Sequence, residues 1–261
     1  MTFLASIPLD LVEEILGHLH GDITTLKTCS TVSLTFYHPS RKLLFSCVVL
    51  DTPNSLVNLH TLLNELPEVA ALVQTLHLRT FFPTDDMGTI LLSVSHRLQH
   101  LQNLTLGCNK GLSWSRFSTS NVTALETLIG LRSLRSLEIS HVYAIPLPFF
   151  SIARGVRRLK MELVYIENVK SAKDAVHFAK LETLSLGSSV LFQKAISVAA
   201  PELRQLSVRG PHPSSLESAI QFINSTSNVI VDFSWSDFHF DSIREFIFFA
   251  IIAVLILLYL L

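Results

Sequence analysis

The chain has 261 residues, of which 20 are Lys or Arg and 21 are Asp or Glu, so its formal net charge is −1. This length allows one or two domains with a substantial core. The balanced charge, without a long basic run, argues against a nucleic-acid-binding protein. Three widely spaced cysteines argue against a disulfide scaffold or a zinc site and fit a reducing compartment.

The first 45 residues place apolar side chains at helical spacing. We predict a first helix that begins at Ile7-Pro8, where the missing backbone donor of proline costs nothing. Gly21-Asp22 breaks this helix and Asp22 can cap a second one, which His38-Pro39 is predicted to end. About 40 residues are few for a self-sufficient core, so the surplus of apolar side chains predicts a partner surface.

A specific set of residues in this stretch carries a family resemblance. They are Ile7, Pro8, Leu11, Ile15, Leu16, Leu19, Leu26, Cys29, Ser30, Val32, Ser33, Phe36, Leu43, Leu44 and Phe45. Together they resemble an F-box, in the form common in fungal F-box proteins, over most of residues 6–45. In that family the module binds the Skp-type adaptor of a cullin–RING ubiquitin ligase, and the rest of the chain selects the substrate.

The resemblance implies which side chains contact the adaptor or provide the packing that presents the contact. These are Ile7, Pro8, Leu11, Ile15, Leu16, Leu19, Leu26, Val32 and Phe36. Leu34 departs from the basic residue usual in the family, and Phe36 stands in place of a Trp, which implies weaker adaptor binding. The alternative is that the stretch is an ordinary helical cap on the domain that follows.

A Leu-x-x-Leu-x-Leu pattern, with some Val, Ile and Met substitutions, occurs six times in the middle of the chain. Its copies begin at Val73, Leu101, Leu134, Val156, Leu181 and Leu203. Leucine-rich repeats recur every 20–29 residues or so, and one overlong interval here predicts an inserted loop. Each copy predicts a short parallel strand whose leucines enter the core and need neighbouring repeats to bury them. The alternative is a mixed α/β domain with coincidental leucines.

The segments between these strands read as helices or irregular turns. Apolar stripes predict helices over residues 54–66 and 87–98, the second after Thr84. Ser214-x-x-Glu217 is a capping-box pattern. Val229–Phe233 is predicted to be a seventh strand, one repeat after the sixth.

In a leucine-rich array the residues between the leucines face outward on the concave side. We therefore expect substrate contacts from outward strand positions and from the loop in the long interval. The candidates are His77, Thr105, Trp114, Arg116, Glu138, Lys160 and Ser185. Trp114 and Arg116 are of types favoured as interface anchors. Solvated strand residues follow the same pattern, and Trp114 equally suits a role covering the edge of the array.

The last sixteen residues, 246–261, carry no charge. As a helix they would span only about 24 Å, against about 30 Å for the hydrocarbon core of a bilayer. A short span can nevertheless be met by local thinning, and we predict a C-terminal membrane anchor. The alternatives are an end produced by a faulty gene model or truncation, and a segment covered by a partner.

Known catalytic patterns are missing from the sequence. It has no glycine-rich phosphate loop, no Gly-x-Ser-x-Gly elbow and no Cys-x-x-Cys motif. His96 and His100 are four residues apart but lack the Glu of a zinc-protease motif, and His18 and His20 cannot share a helix face. Asp85-Asp86 suits the first turn of a helix. We therefore expect no catalytic residue, metal or cofactor.

These observations predict an α/β protein in three parts. Residues 1–48 form a small helical F-box, residues 49–243 an irregular leucine-rich-repeat solenoid of parallel strands and helices, and residues 244–261 an apolar C-terminal helix. The expected function is substrate recognition for an SCF-type ubiquitin ligase, in the cytoplasm or anchored there to an intracellular membrane. The alternative is a membrane-anchored leucine-rich scaffold without ligase coupling.

Overall fold

The computed structural model describes residues 7–19, 21–79, 85–167, 176–187, 191–192, 198–209 and 230–234. The chain divides into two compact units. The first unit comprises Met1–Thr105 and Phe117–Leu134, and the second comprises Leu106–Arg116 and Arg135–Leu261.

Helices occupy much of the first unit, and a short one lies in the second. They are α1 (Leu9–Gly17), α2 (Ile23–Val32), α3 (Leu34–Ser46), α4 (Pro53–Glu65), α5 (Asp85–Arg97), α6 (Thr119–Ile129) and α7 (Pro148–Ser151), with 3-10 turns at Pro67–Leu72 and Trp114–Arg116. The helices predicted over 54–66 and 87–98 correspond to α4 and α5. Asp85 and Asp86 lie in the first turn of α5, as expected.

Strands occur in both units. They are β1 (Cys47–Leu50), β2 (Thr75–Leu78), β3 (Asn103–Ser113), β4 (Ser136–Tyr143), β5 (Ile145–Pro146), β6 (Arg158–Glu162), β7 (Tyr165–Glu167), β8 (Val176–His177), β9 (Thr183–Leu186), β10 (Leu191–Phe192), β11 (Val198–Ala199), β12 (Gln205–Arg209) and β13 (Ile230–Ser234). The predicted seventh strand is confirmed as β13.

Helices α1 to α3 follow the predicted pattern at their start and depart from it later. Asp22 caps α2 as predicted, accepting a hydrogen bond from the Thr25 backbone N–H at 3.0 Å. The prediction that the second helix continues to His38-Pro39 is wrong. Ser33 has extended backbone angles (φ −161°, ψ 163°), and its carbonyl accepts bonds from Phe36 and Tyr37, which begins α3. Pro39 lies inside α3, where its ring removes one intrahelical donor without ending the helix.

The α1–α3 module has a small core of its own. Its fully buried members are Val12, Leu16 and Leu26. Five side chains pack partly buried against them: Leu19, Cys29, Phe36, Leu43 and Leu44. In α1, Val12 and Leu16 are four residues apart and therefore lie on one face of the helix.

The Leu-x-x-Leu-x-Leu motifs form strands, and each pairing of described register is parallel. In the first unit the strand order is β1-β2-β3. In the second unit, strands β3-β4-β6-β9-β12-β13 are successive neighbours. The motif leucines align across four of them, as Leu137 opposite Leu159, Leu159 opposite Leu184, and Leu184 opposite Leu206. All four are buried, so the prediction of an α/β fold with a parallel sheet is confirmed.

Backbone hydrogen bonds align the starts of these strands at the same position of each motif. The N–H groups of Arg157 and Arg158 both donate to the carbonyl of Arg135, at 2.8 and 2.9 Å. The backbone N–H groups of Glu182 and Thr183 donate in the same way to the carbonyl of Arg157. Residues 204 and 205 repeat this bonding to the Glu182 carbonyl. The second residue of each motif therefore lies beside its counterpart in the next one.

Smaller pairings complete the second unit. Strand β7 lies between β10 and β5, and β11 pairs with β8; these contacts are also parallel. No helix within the described ranges is long and apolar enough to cross a membrane. The predicted tail at 244–261 and the capping-box pattern at 214–217 lie outside the described residues.

Candidate protein-interaction surfaces

Helices α1 to α3 expose an unusual number of large apolar side chains for so small a module. The exposed members are Ile7, Leu9, Leu11, Ile15, Ile23, Val32 and Leu34. Between 46 and 81% of the surface of each residue is accessible to solvent. We refer to these seven residues as the apolar surface. An unusual number of exposed large apolar side chains marks a candidate interaction site. Only three large apolar residues of the same module are fully buried.

Helix α1 shows how this arrangement arises. Leu11 and Ile15 are four residues apart and exposed, whereas Val12 and Leu16, one residue further along, are buried. The helix therefore has two adjacent apolar stripes, of which the module covers one. A helix that packed on a single neighbour would need only one such stripe.

The residues predicted to serve adaptor binding divide into two groups. Ile7, Pro8, Leu11, Ile15 and Val32 are exposed. Leu16 and Leu26 are buried, and Leu19 and Phe36 are partly buried against the small core. The first group is the more available to a partner, and the second group packs in or against the small core.

Sequence reasoning missed two members of the apolar surface, Leu9 and Ile23, and treated Leu34 only as a departure from a family pattern. Leu34 is 81% exposed, the largest value among these seven residues. Leu34 directly follows the helix break at Ser33 and lies in the first turn of α3.

A groove lies between α1, α3 and the turn Pro67–Leu72. It encloses about 530 Å³, and its walls include Leu9, Leu34, Pro39 and Leu72. Two ion pairs stand at its border: Arg41 with Glu68 at 3.6 Å and Lys42 with Glu13 at 3.8 Å. Both side chains of the Lys42–Glu13 pair are exposed, so that pair contributes little to stability. The groove thus offers an apolar floor with charged edges, which suits an apolar side chain of a partner.

Arg41 is held in place by its neighbours in α3. Its Nη1 donates to the Tyr37 hydroxyl at 2.8 Å, and its guanidinium carbon lies 5.2 Å from the centre of the Tyr37 ring. It also lies 5.7 Å from the centre of the Phe45 ring. Cation–π contacts within about 6 Å are favourable. The charge at this border of the groove is therefore fixed in position.

The outward strand positions form a second candidate surface. In the second unit Glu138, Lys160 and Ser185 are register neighbours on β4, β6 and β9. Lys160 is exposed and the other two are half-buried. Lys160 Nζ donates to Glu138 Oε1 at 2.6 Å. In the first unit, half-buried His77 and Thr105 lie on the adjacent strands β2 and β3.

Trp114 and Arg116 lie in the 3-10 turn that follows β3. The half-buried Trp114 ring packs edge-on against Phe149, with centroids 4.5 Å apart. Phe149 contacts Phe150, which in turn contacts Phe178. Arg116 is exposed. Trp114 therefore covers an aromatic cluster of the second unit, and Arg116 is the freely accessible residue of the pair.

Titratable side chains offer little chemistry in the described ranges. His96 and His100 are exposed, and α5 ends at Arg97, so they do not share a helix face. No group of three or more His, Cys, Asp or Glu suited to a metal occurs among the residues that the structure describes. Burial raises the pKa of the Cys47 thiol, and the Arg79 charge partly offsets that rise.

No family model matches the sequence, and no curated protein matches it at a significant level. The candidate surfaces are therefore defined by their own geometry and chemistry. One is the apolar surface of α1 to α3, and the other consists of outward positions on parallel strands. Both present side chains suited to contact with another protein.

Proposed function

We propose that this chain is a substrate-recognition adaptor of an SCF-type, cullin–RING ubiquitin ligase. In this proposal the F-box-like α1–α3 module binds a Skp-type adaptor. The observation that carries it is the apolar surface, with seven large exposed side chains beside a core of three buried ones. The adaptor would cover the second apolar stripe of α1, which the module leaves in water.

Burial of this surface would contribute a measurable part of the binding free energy. Full burial of a Leu or Ile side chain contributes about 1.5–3 kcal/mol. Leu11 and Ile15 are each 49% exposed, so together they offer roughly the burial of one complete side chain. Leu9 and Leu34 add further area at the border of the groove.

The outward strand positions would then bind the protein to be ubiquitinated. Under this proposal the chain positions a substrate and takes no chemical step itself, because the ligase supplies the catalysis. In the second unit Glu138, Lys160 and Ser185 provide a pair of opposite charges and a hydroxyl on one outward row. Arg116 is the candidate contact in the long interval. His77 and Thr105 are the corresponding candidates of the first unit.

The test is binding between the purified full chain and a purified Skp-type adaptor, measured by calorimetry. Leu11→Ala with Ile15→Ala should weaken binding by at least about tenfold, because each change removes apolar area that the adaptor would bury in the complex. The matched control is Val57→Ala with Leu66→Ala, two apolar residues that are similarly exposed on and after α4. The control pair should bind like the wild type.

Failure of the wild type to bind the adaptor would overturn the proposal, as would equal losses in both double variants. The alternative, a membrane-anchored leucine-rich scaffold without ligase coupling, draws on the uncharged run at 246–261. It predicts that the full chain partitions with membranes, that a chain ending at Arg244 does not, and that neither recovers a cullin.

A further inference from the structure

Three arginines meet at the N-terminal ends of neighbouring strands in the second unit. Arg135, Arg157 and Arg158 line an open cavity of about 410 Å³ together with Glu182 and Thr183. We call this cavity the arginine groove. The repeated backbone bonding described above brings these residues together, since Arg157 and Arg158 donate to the Arg135 carbonyl and Glu182 and Thr183 to that of Arg157.

The groove carries more positive than negative charge. Arg157 Nη1 lies 3.0 Å from Glu182 Oε1, which neutralises one of the three guanidinium groups. Arg135 is half-buried and Arg158 exposed. Within the described part of the chain neither of these two side chains has a hydrogen bond or an ion pair. Two of the three arginines that line the cavity are therefore unneutralised, and the third is paired.

We propose that the arginine groove binds an extended, acidic peptide segment of a partner protein through its carboxylates. The Arg157–Glu182 pair demonstrates that a carboxylate fits against an arginine here. Guanidinium groups match the geometry of carboxylates, with two parallel donors for two oxygens. Neighbouring strands are about 4.8 Å apart, and side chains of an extended peptide follow one another every 3.3 Å or so. Carboxylates at different positions of such a peptide can therefore meet different arginines of the groove.

The groove suits carboxylates because its arginines are separate single charges, one of which already holds the Glu182 carboxylate. As an assignment of the ligase substrate this inference rests on the proposed function. As a binding site it stands separately, because its test requires no adaptor.

The test is fluorescence anisotropy of a labelled peptide of alternating Glu and Ser, titrated with the full chain in neutral detergent. The wild type should bind it, and the affinity should fall as salt rises. Arg135→Gln with Arg158→Gln should weaken binding about three- to tenfold. Glu182→Gln should strengthen it, because the change releases Arg157 and removes the repelling carboxylate.

Arg154→Gln is the control for the single variant Arg158→Gln, because each of them removes one positive charge. Arg154 is an exposed arginine of the second unit that does not line the groove, so this variant should bind like the wild type. The proposal is overturned if the wild type does not bind the peptide, or if Arg154→Gln weakens binding as much as Arg158→Gln. It is equally overturned if a peptide with phosphoserine binds and the Glu-Ser peptide does not. Loss of adaptor binding by α1–α3 would leave all of these results unchanged.

Discussion

A Cβ atom placed on Gly88 of α5 would lie 2.8 Å from the Cβ of Ser120 in α6. It would also lie 2.9 Å from the backbone nitrogen of Asn121 and from the Ser118 hydroxyl. Two of these three neighbours belong to, or are directly attached to, the backbone. The two helices of the first unit therefore approach each other through a position without a side chain.

The close approach predicts that Gly88→Ala destabilises the first unit. Overpacking costs about 1–3 kcal/mol, and the better helix propensity of Ala returns about 1 kcal/mol. We expect a net loss of about 1 kcal/mol in the free energy of unfolding, measured by urea denaturation followed by circular dichroism. Gly17→Ala is the control, because nothing lies within 4 Å of its Cβ position. That variant should gain stability, and equal effects in both would contradict the packing argument.

The cap of α2 predicts a pH dependence of stability. Hydrogen bonds from the Thr25 hydroxyl, at 2.6 Å, and from its backbone N–H hold the pKa of the Asp22 carboxyl below the ordinary value of 3.8. Because the folded pKa is the lower one, the cap stabilises the fold above the unfolded value and is lost as pH falls through the folded pKa. The free energy of unfolding should therefore decrease on acidification below about pH 4.

Two variants separate this cap from general acid denaturation. Asp22→Asn keeps an oxygen acceptor at the cap but removes the titrating group, so its stability should change less between about pH 5 and pH 3. Thr25→Val removes the hydroxyl donor and keeps the backbone N–H. In this variant the pKa of Asp22, followed by NMR, should rise toward 3.8. An unchanged pKa would show that the Thr25 hydroxyl has no such role.

The repeated strands were predictable because their pattern has a simple cause. In β9, Leu184 and Leu186 are buried while Thr183 and Ser185 are half-buried, as expected for alternation along a strand. The same register holds from β4 to β12, so the leucines of every motif lie on the same face of the sheet. Short apolar runs without this context were harder to interpret. The strand β1 at Cys47–Leu50, for example, was not predicted separately from the helices before it.

The helix break at Ser33 was not predictable from spacing. Leu26, Cys29, Val32 and Phe36 continue a helical stripe across it, and no Gly or Pro marks it. Pro39 misled the prediction because its ring occupies an interior position of α3. The arginine groove was also missed, since Arg135, Arg157 and Glu182 are far apart along the chain and only strand register brings them together.

The buried hydroxyl of Ser40 predicts a stabilising substitution. Ser40 is fully buried in α3, and its Oγ has no hydrogen-bond partner among the described residues. Leaving a buried polar group unsatisfied costs about 1–3 kcal/mol. Ser40→Ala should therefore raise the free energy of unfolding by about 1 kcal/mol or more, measured by urea denaturation.

Ser95 provides the matched control for Ser40. It is also fully buried within a helix, but its Oγ donates to the Leu92 carbonyl at 2.7 Å. Both substitutions by Ala bring the same change in helix propensity, so the difference between them isolates the missing hydrogen bond. Ser95→Ala should stabilise the chain less than Ser40→Ala. A larger gain from Ser95→Ala would contradict this explanation.

The two apolar stripes of α1 predict opposite consequences for stability and for binding. Leu16 is fully buried in the small core, so Leu16→Ala should cost about 2–5 kcal/mol in the free energy of unfolding. Leu11 is 49% exposed, so Leu11→Ala removes only about half of a buried side chain and should cost about 1 kcal/mol.

Adaptor affinity should distinguish Leu11→Ala from Leu16→Ala in the opposite way to stability. Leu11→Ala removes exposed area that a partner would cover, so adaptor affinity should fall by more than the unfolded fraction explains. Leu16→Ala should lose adaptor binding only in proportion to the unfolded fraction, which circular dichroism measures at the same temperature. If Leu11→Ala destabilises the chain as much as Leu16→Ala does, then the α1–α3 module covers both stripes itself. The apolar surface would then be part of its own core rather than a site for a partner.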